Sequence, residues 1–267
     1  MPDAAVRIAR FRGLLATLTV RELKARYRGS VLGFFWSLLN PLLLLAVYST
    51  VFGWILVPRL GAGVEPYALF LITGLFPWIW FSSSLLEGSS SLLTNAGLIR
   101  KAVFPAELLP IVAVAANLVH LLLALPVAGA ALLAGRLLGH PVAGWGTLAL
   151  PAVILVQLPL VAGLALGLAA LTAHFKDMRD LLSNLLTLLF FATPIIYPLE
   201  AVPADWMRAV VRANPLTPYT LAYQDVLFRG TVPEASLWLQ MAAVSLVGWL
   251  AGSWLFGRLR ETVVEAV

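Results

Sequence analysis

Residues 21–41 read RELKARYRGSVLGFFWSLLNP, and the chain changes character halfway through them. Arg21, Lys24, Arg26 and Arg28 crowd into eight positions, and from Val31 to Val57 no charged side chain follows. A basic cluster can hold nucleic acid, lie on a lipid surface, or pin one end of a membrane span. The rest of the sequence chooses among these.

Hydrophobic residues make up 61% of the 267 and charged residues 12%, about half the charged share of a soluble domain. A soluble fold of this size could not cover so much apolar surface. The apolar residues also fall into blocks near the ~20 residues that a helix needs to cross hydrocarbon. The chain therefore reads as a polytopic membrane protein. Its net charge of +5 is no nucleic-acid footprint, because the basic residues flank spans and form no separate domain. Zero cysteines exclude disulfides, thiolate metal sites and thiol catalysis. No cleavable signal peptide is expected, since the first apolar block begins late and is too long for a signal core.

Six blocks are predicted to span, at 34–57, 67–86, 108–133, 148–170, 181–197 and 237–256. Such continuous runs must be helices, since barrel strands would alternate. Thirteen lysines and arginines fall on one side of this layout; Arg59, Arg136, Arg208, Arg212 and Arg229 fall on the other. The positive-inside rule puts both termini in the cytoplasm. The opening cluster is then a cytoplasmic anchor.

It carries more structure than an anchor requires. Ile8, Phe11, Leu15 and Leu18 recur at spacings of three and four, with Arg10, Arg21 and Lys24 broadly opposite. This pattern predicts an interfacial helix, apolar side in lipid and basic side toward anionic head groups.

The loops are more informative than the spans. SSSLLTNAGLIRKAVFPAELLP (89–110) is too polar to cross and too apolar for a free loop. Leu92, Leu93, Leu98, Ile99, Val103 and Phe104 are predicted to form an apolar surface beside Arg100 and Lys101, stopped by Pro105. Such a helix wants lipid or another protein's groove. HFKDMRDLL (174–182) is short and dense in both signs, with Lys176 and Asp180 at i,i+4. Plain solvated connections remain an alternative for both. Outside, DWMRAVVRANP and TPYTLAYQDVLF show helical spacing and are separated by a break at 214–218. Each is too short to span, so they lie flat or dip in and return.

Much chemistry is absent. Lys24, Lys101 and Lys176 are the only lysines and none follows a glycine, so no phosphate-binding loop exists on this chain. His120, His140 and His174 are scattered, unlike a metal site. His120 alone lies deep in a span: either a functional group or a neutral side chain bonded to a neighbouring helix. Glu87 and Glu107 sit only at span ends, which weighs against ion coupling and embedded acid–base catalysis. A transporter should therefore keep much of its activity when Glu87, Glu107 and His120 are replaced together, and an enzyme should not. Aromatics crowd span two (Phe70, Phe76, Trp78, Trp80, Phe81) and the outer half of span one (Tyr48, Phe52, Trp54). They suit either a sliding substrate or interface belts and packing.

Four stretches together carry a likeness: LTVRELKARYRGSVLGFFWSLLNPLL, NAGLIRKAVFPAELLP, FKDMRD, and ATPIIYP with NPLTPY. In this order the chain resembles an ABC type-2 permease, more narrowly the membrane subunit that exports lipid-linked O-antigen, capsule or teichoic acid. The resemblance implies an all-α membrane protein of six spans, an N-terminal interface helix over 1–30, a permease domain over 31–257 and a short cytoplasmic tail over 258–267. It implies two permeases paired with two separate ATPase subunits that carry ATP and Mg, with no cofactor on this chain, in the cell (inner) membrane. The segment near 94–105 would be a coupling helix, with Asn95, Leu98, Arg100, Lys101 and Phe104 meeting the ATPase. Lys176, Asp177 and Arg179 would form a second, smaller contact. Tyr48, Phe52, Phe70, Phe76, Trp78, Trp80, Phe81, Phe190 and Phe191 would line the route of the glycan. Two re-entrant helices over about 204–230, with Trp206, Asn214, Pro215, Tyr219 and Tyr223, would gate the outer mouth. A permease for drugs or other lipids shares this layout, and a membrane-bound scaffold or enzyme of envelope synthesis is the reading of another class.

Overall fold

A computed structural model describes residues 3–29, 33–51, 64–101, 105–175 and 177–266. The described residues are helical and include no strand. In chain order the helices are α1 (Asp3–Arg10), α2 (Arg12–Tyr27), α3 (Trp36–Tyr48), α4 (Tyr67–Thr94), α5 (Ala96–Lys101) and α6 (Leu108–Leu137). They continue with α7 (Leu150–His174), α8 (Met178–Ala192), α9 (Asp205–Ala213), α10 (Thr217–Tyr223) and α11 (Ala235–Ala266). Among the described residues four helical stretches are long and apolar enough to cross a membrane: Tyr67–Thr94, Leu108–Leu137, Trp145–His174 and Ala235–Arg260. They answer to the second, third, fourth and sixth predicted spans. The first and fifth correspond to the shorter α3 and α8, and 52–57 lie outside the described residues.

Several boundaries differ from expectation, α11 among them in running past 256 to Ala266, and two have a clear local reason. Helix α4 runs on to Thr94, well past the expected end at 86. Its extra turns are rich in serine, and those hydroxyls bond back to the helix's own carbonyls: Ser89 to Leu86 (2.8 Å), Ser90 to Leu86 (3.1 Å) and Ser91 to Gly88 (2.7 Å). Polarity satisfied within the helix does not break it. Helix α8 instead stops at Ala192. Pro194 forces the preceding Thr193 into extended backbone (φ −104°, ψ 139°), a restriction every residue before proline meets. Fifteen residues give α8 a length of only about 22 Å.

Packing centres on α4, which lies against both α6 and α7, and on the extensive pairing of α7 with α11. That pair is seamed by glycine. Gly163 and Gly167 on α7 face Gly248 and Gly252 on α11, each pair spaced by three residues. A methyl group built on Gly252 would sit 1.8 Å from the Gly163 carbonyl oxygen, so the backbones touch without side chains between them. Small residues four apart are how membrane helices associate when no hydrophobic gain separates lipid from protein.

The N-terminal helices form nearly one rod, since Phe11 N–H bonds to Arg7 O (3.0 Å) and Leu15 N–H to Phe11 O (2.9 Å) across the joint. Their apolar stripe was expected to face lipid. Instead Leu18 is buried, and Ile8 and Leu15 pack on a cluster built from α4, α6, α7 and α11. Val6 and Val20 remain exposed. The rod is thus docked along the bundle as well as amphipathic.

Candidate functional site

Helices α3, α4 and α8 frame an open groove of about 580 Å³. Around Phe190 the rings meet: Tyr48 stacks on it at 5.6 Å and 25°, Trp78 lies 5.7 Å away, and Phe191 is edge-on at 5.2 Å. Along the same helices, toward the end where α5 lies, the lining turns to Ser82, Ser83, Ser183 and Thr187. Ser82 donates to Trp78 O (2.9 Å) and Thr187 to Ser183 O (3.0 Å). Each hydroxyl oxygen still has lone pairs free to accept. The groove therefore offers flat apolar contact at one level and a row of acceptors at the next, with no charged group among the described residues of its lining.

Of the residues expected on a substrate path, Tyr48, Trp78, Phe190 and Phe191 converge here. Phe70, Phe76, Trp80 and Phe81 do not, being buried in the main core. Phe70, for example, is packed edge-on against Phe228 at 5.6 Å. Phe52 lies outside the described residues.

At the end of α4 the helix breaks at Asn95, whose Nδ2 donates to Ser91 O (2.9 Å). Helix α5 then covers Ala96–Lys101, and residues 102–104 of the expected 94–105 segment lie outside the described residues. Its apolar face is turned inward: Ile99 is buried and Leu98 packs on the same cluster as Leu92 and Ala106. The predicted apolar surface is thus largely absorbed by the bundle. Arg100 and Lys101 close α5, and Phe104 lies outside the described residues. The second loop brings exposed Asp177, at the start of α8, and exposed Arg179 to this end; Lys176 is outside the described residues.

The two short helices α9 and α10 differ. α9 has no buried residue and Trp206 is exposed, whereas every residue of α10 but Leu221 is buried. Helix α10 packs against α4, α7 and α11. Its tyrosines explain this. Tyr219 hydroxyl lies 2.7 Å from Met241 O and 2.6 Å from Ser245 Oγ, and Tyr223 donates to Gln157 Oε1 at 2.8 Å. Asn214 ties the break before α10 to the end of α8, donating to Thr193 Oγ1 at 2.9 Å, while Pro215 stays exposed. Farther on, Arg229 pairs with Asp225 (2.8 Å) and Glu200 (3.3 Å). Burial pushes the Asp225 carboxyl above its ordinary range, and Arg229 pulls against that shift.

The sequence of residues 13–228 matches the ABC-2 type transporter family. The chain belongs to that family. It is 39% identical over 259 residues to an O-antigen export system permease protein of Myxococcus xanthus (RfbA), with 96% of each chain covered. A Klebsiella pneumoniae protein of the same name is 33% identical over 219 residues, 82% of each chain. The polysialic acid transport protein KpsM of Escherichia coli is 25% identical over 253 residues, 93% of this chain and 94% of that one.

In this ABC-2 type transporter chain, reading along the sequence missed one constellation. Arg26 of α2 pairs with Glu87 of α4 and with Glu22 (3.5 Å), and donates to Asn117 Oδ1 of α6 at 3.1 Å. Tyr27 hydroxyl and His120 Nε2 meet at 2.7 Å. At the other end of the rod Arg7 Nε stands 2.9 Å from the fully buried Glu107 carboxylate, without hydrogen-bond alignment. Glu87, Glu107 and His120 thus hold the N-terminal rod to the bundle. Replacing all three would undock it, so their joint replacement does not separate a transporter from an enzyme. No local motif announces the contacts between the rod and the bundle, whose partners lie 61 to 100 positions apart.

Proposed function

We propose that this chain is the membrane subunit of an ATP-driven exporter that moves a lipid-linked polysaccharide, an O-antigen above other glycans, out of the cytoplasm. The observation that carries this is the uncharged groove of α3, α4 and α8, with stacked rings above hydroxyls. A repeating glycan presents apolar ring faces and hydroxyls at every residue. A surface of flat aromatic contact and loose acceptors lets it slide, where a few charged, directional bonds would hold it in one register. The names of the relatives agree with this substrate class.

In this reading the permease domain covers 31–257 and crosses the inner membrane six times, α3 and α8 included, with both termini in the cytoplasm. The exposed leucines and valines beside the groove, such as Leu43, Val47, Leu185 and Leu188, meet a second copy, which closes the open side into a passage. Two ATPase subunits, carrying ATP and Mg, seat against α5 and the Asp177–Arg179 turn. The inward packing of Leu98 and Ile99 makes α5 a rigid lever on α4, α6 and α7, so motion of the ATPase reaches the spans. At the other end α10, re-entrant and held by Tyr219 and Tyr223, forms the outer gate with α9 as its surface cover.

The test is affinity isolation of the chain from its native membrane, followed by charge reversal at Arg100 and Lys101. A soluble ATPase is expected at near-equimolar yield. The reversed variant is expected to insert normally while ATP hydrolysis and export come apart. A chain isolated without an ATPase, or full export by the variant, would overturn the reading.

A further inference from the structure

A second cavity shares no helix with the aromatic groove. It measures about 820 Å³ and runs between the N-terminal rod and α6, α7 and α11, with Ile8, Leu15, Ile111, Leu118, Pro159 and Trp249 among its lining. That volume lies within the ~300–1,000 Å³ of sites that enclose a ligand of drug size. Among the described residues Ser245 is the only hydroxyl in the lining, and it is already committed to Val156 O and the Tyr219 hydroxyl. Such a surface offers sugar hydroxyls nothing and hydrocarbon a great deal.

One end of the cavity is charged. Glu107 stands one helical turn before Ile111 and holds Arg7, the neighbour of Ile8. This pair seats the rod across the cavity's end. Arg12 lies four residues after Ile8 and three before Leu15, both lining residues, and the backbone bonds through Phe11 keep that spacing helical. Arg10 stands on the opposite face of the rod, away from the lining. Arg12 is exposed and meets no carboxylate among the described residues.

We propose that this cavity holds an acyl chain of an anionic membrane phospholipid, its phosphate bound by Arg12. The proposal rests on the N-terminal rod lying at the cytoplasmic interface and is independent of what the aromatic groove carries. A hydrocarbon chain fits the apolar lining, and Arg12, on the same face of the rod as Ile8 and Leu15, selects a negative head group. The lipid then acts as mortar between the rod and the bundle, adding to the Arg7 and Arg26 ion pairs.

Trp249 reports on the cavity directly. The full-length chain is placed in phosphatidylcholine nanodiscs, with a minor share of lipid carrying bromine on its acyl chains. That lipid is either phosphatidylglycerol or phosphatidylcholine. The Trp249 signal is taken as the difference between wild type and Trp249→Phe. Brominated phosphatidylglycerol is expected to quench it at about fivefold lower mole fraction, the scale of one arginine acting on an anionic head group. Arg12→Gln should bring the two lipids to parity, and Ala115→Phe, which fills the cavity, should remove quenching by either. Equal quenching in the wild type overturns the proposal, as does a preference that survives the arginine variant. Release of the quenching by an added lipid-linked glycan would give the cavity to the transported lipid and overturn it too. The arginine variant alters an exposed residue, so a folding defect in Ala115→Phe leaves the test standing.

Discussion

The α7–α11 pair and the α3–α4–α8 groove are built from equally apolar sequence and behave as opposites. In the first, glycines on both helices bring backbone against backbone, and the Gly163–Gly252 contact leaves no room even for a methyl group. In the second, large rings keep the helices apart, and α8 buries only Leu182, Leu186 and Phe190 while Leu185, Leu188 and Phe191 stay exposed. Hydrophobicity sets neither outcome, since lipid satisfies an apolar side chain as well as protein does. Side-chain size does. One half of the molecule is a fixed frame, and the other is a surface that something else can occupy.

The strongest way to break this contrast is to put a side chain into the frame. Gly252→Val should disrupt assembly outright, by more than the ~1–3 kcal/mol usual for overpacking, because its neighbour is backbone and cannot swing aside. Loss of monodisperse protein on size exclusion, with no melting transition to record, is the expected result. A normal melting curve would mean that the two helices separate freely. Next in size is Trp80→Ala. Trp80 is 2% exposed, and truncating a buried ring costs about 3–5 kcal/mol. A melting temperature lowered by many degrees is expected, with export falling because protein is lost.

Its near neighbour in sequence sharpens the contrast. Trp78 lines the groove, so Trp78→Ala should slow export several-fold while lowering stability by only about 1–2 kcal/mol, less than a fully buried ring. Export per assembled complex, measured beside a melting curve, separates the two tryptophans. Equal effects at both would make the groove ordinary core. Phe191→Ala is the smallest change. At 53% exposure its truncation should leave stability within about 0.5 kcal/mol and reduce export modestly. An export rate unchanged within error would remove Phe191 from the path.

Composition alone makes this chain a membrane protein, and block length places α4, α6, α7 and α11, because a helix must satisfy every backbone group within itself once water is excluded. The short helices α9 and α10 were legible as well, from spacing and from the proline-marked break at 214–218. The glycine seam could have been read: Gly163-x-x-x-Gly167 and Gly248-x-x-x-Gly252 stand in plain view. Which of ten crowded aromatics face a groove could not, because a ring's hydropathy is the same in core, lipid or cleft. Nor could the docking of the N-terminal rod. Its stripe and charges specify a surface that binds something, and tertiary structure alone supplies Glu87, Glu107, Asn117 and His120 as the partners, brought from distant helices. Sequence determined which segments would leave water; packing decided which of their faces met each other and which were left open.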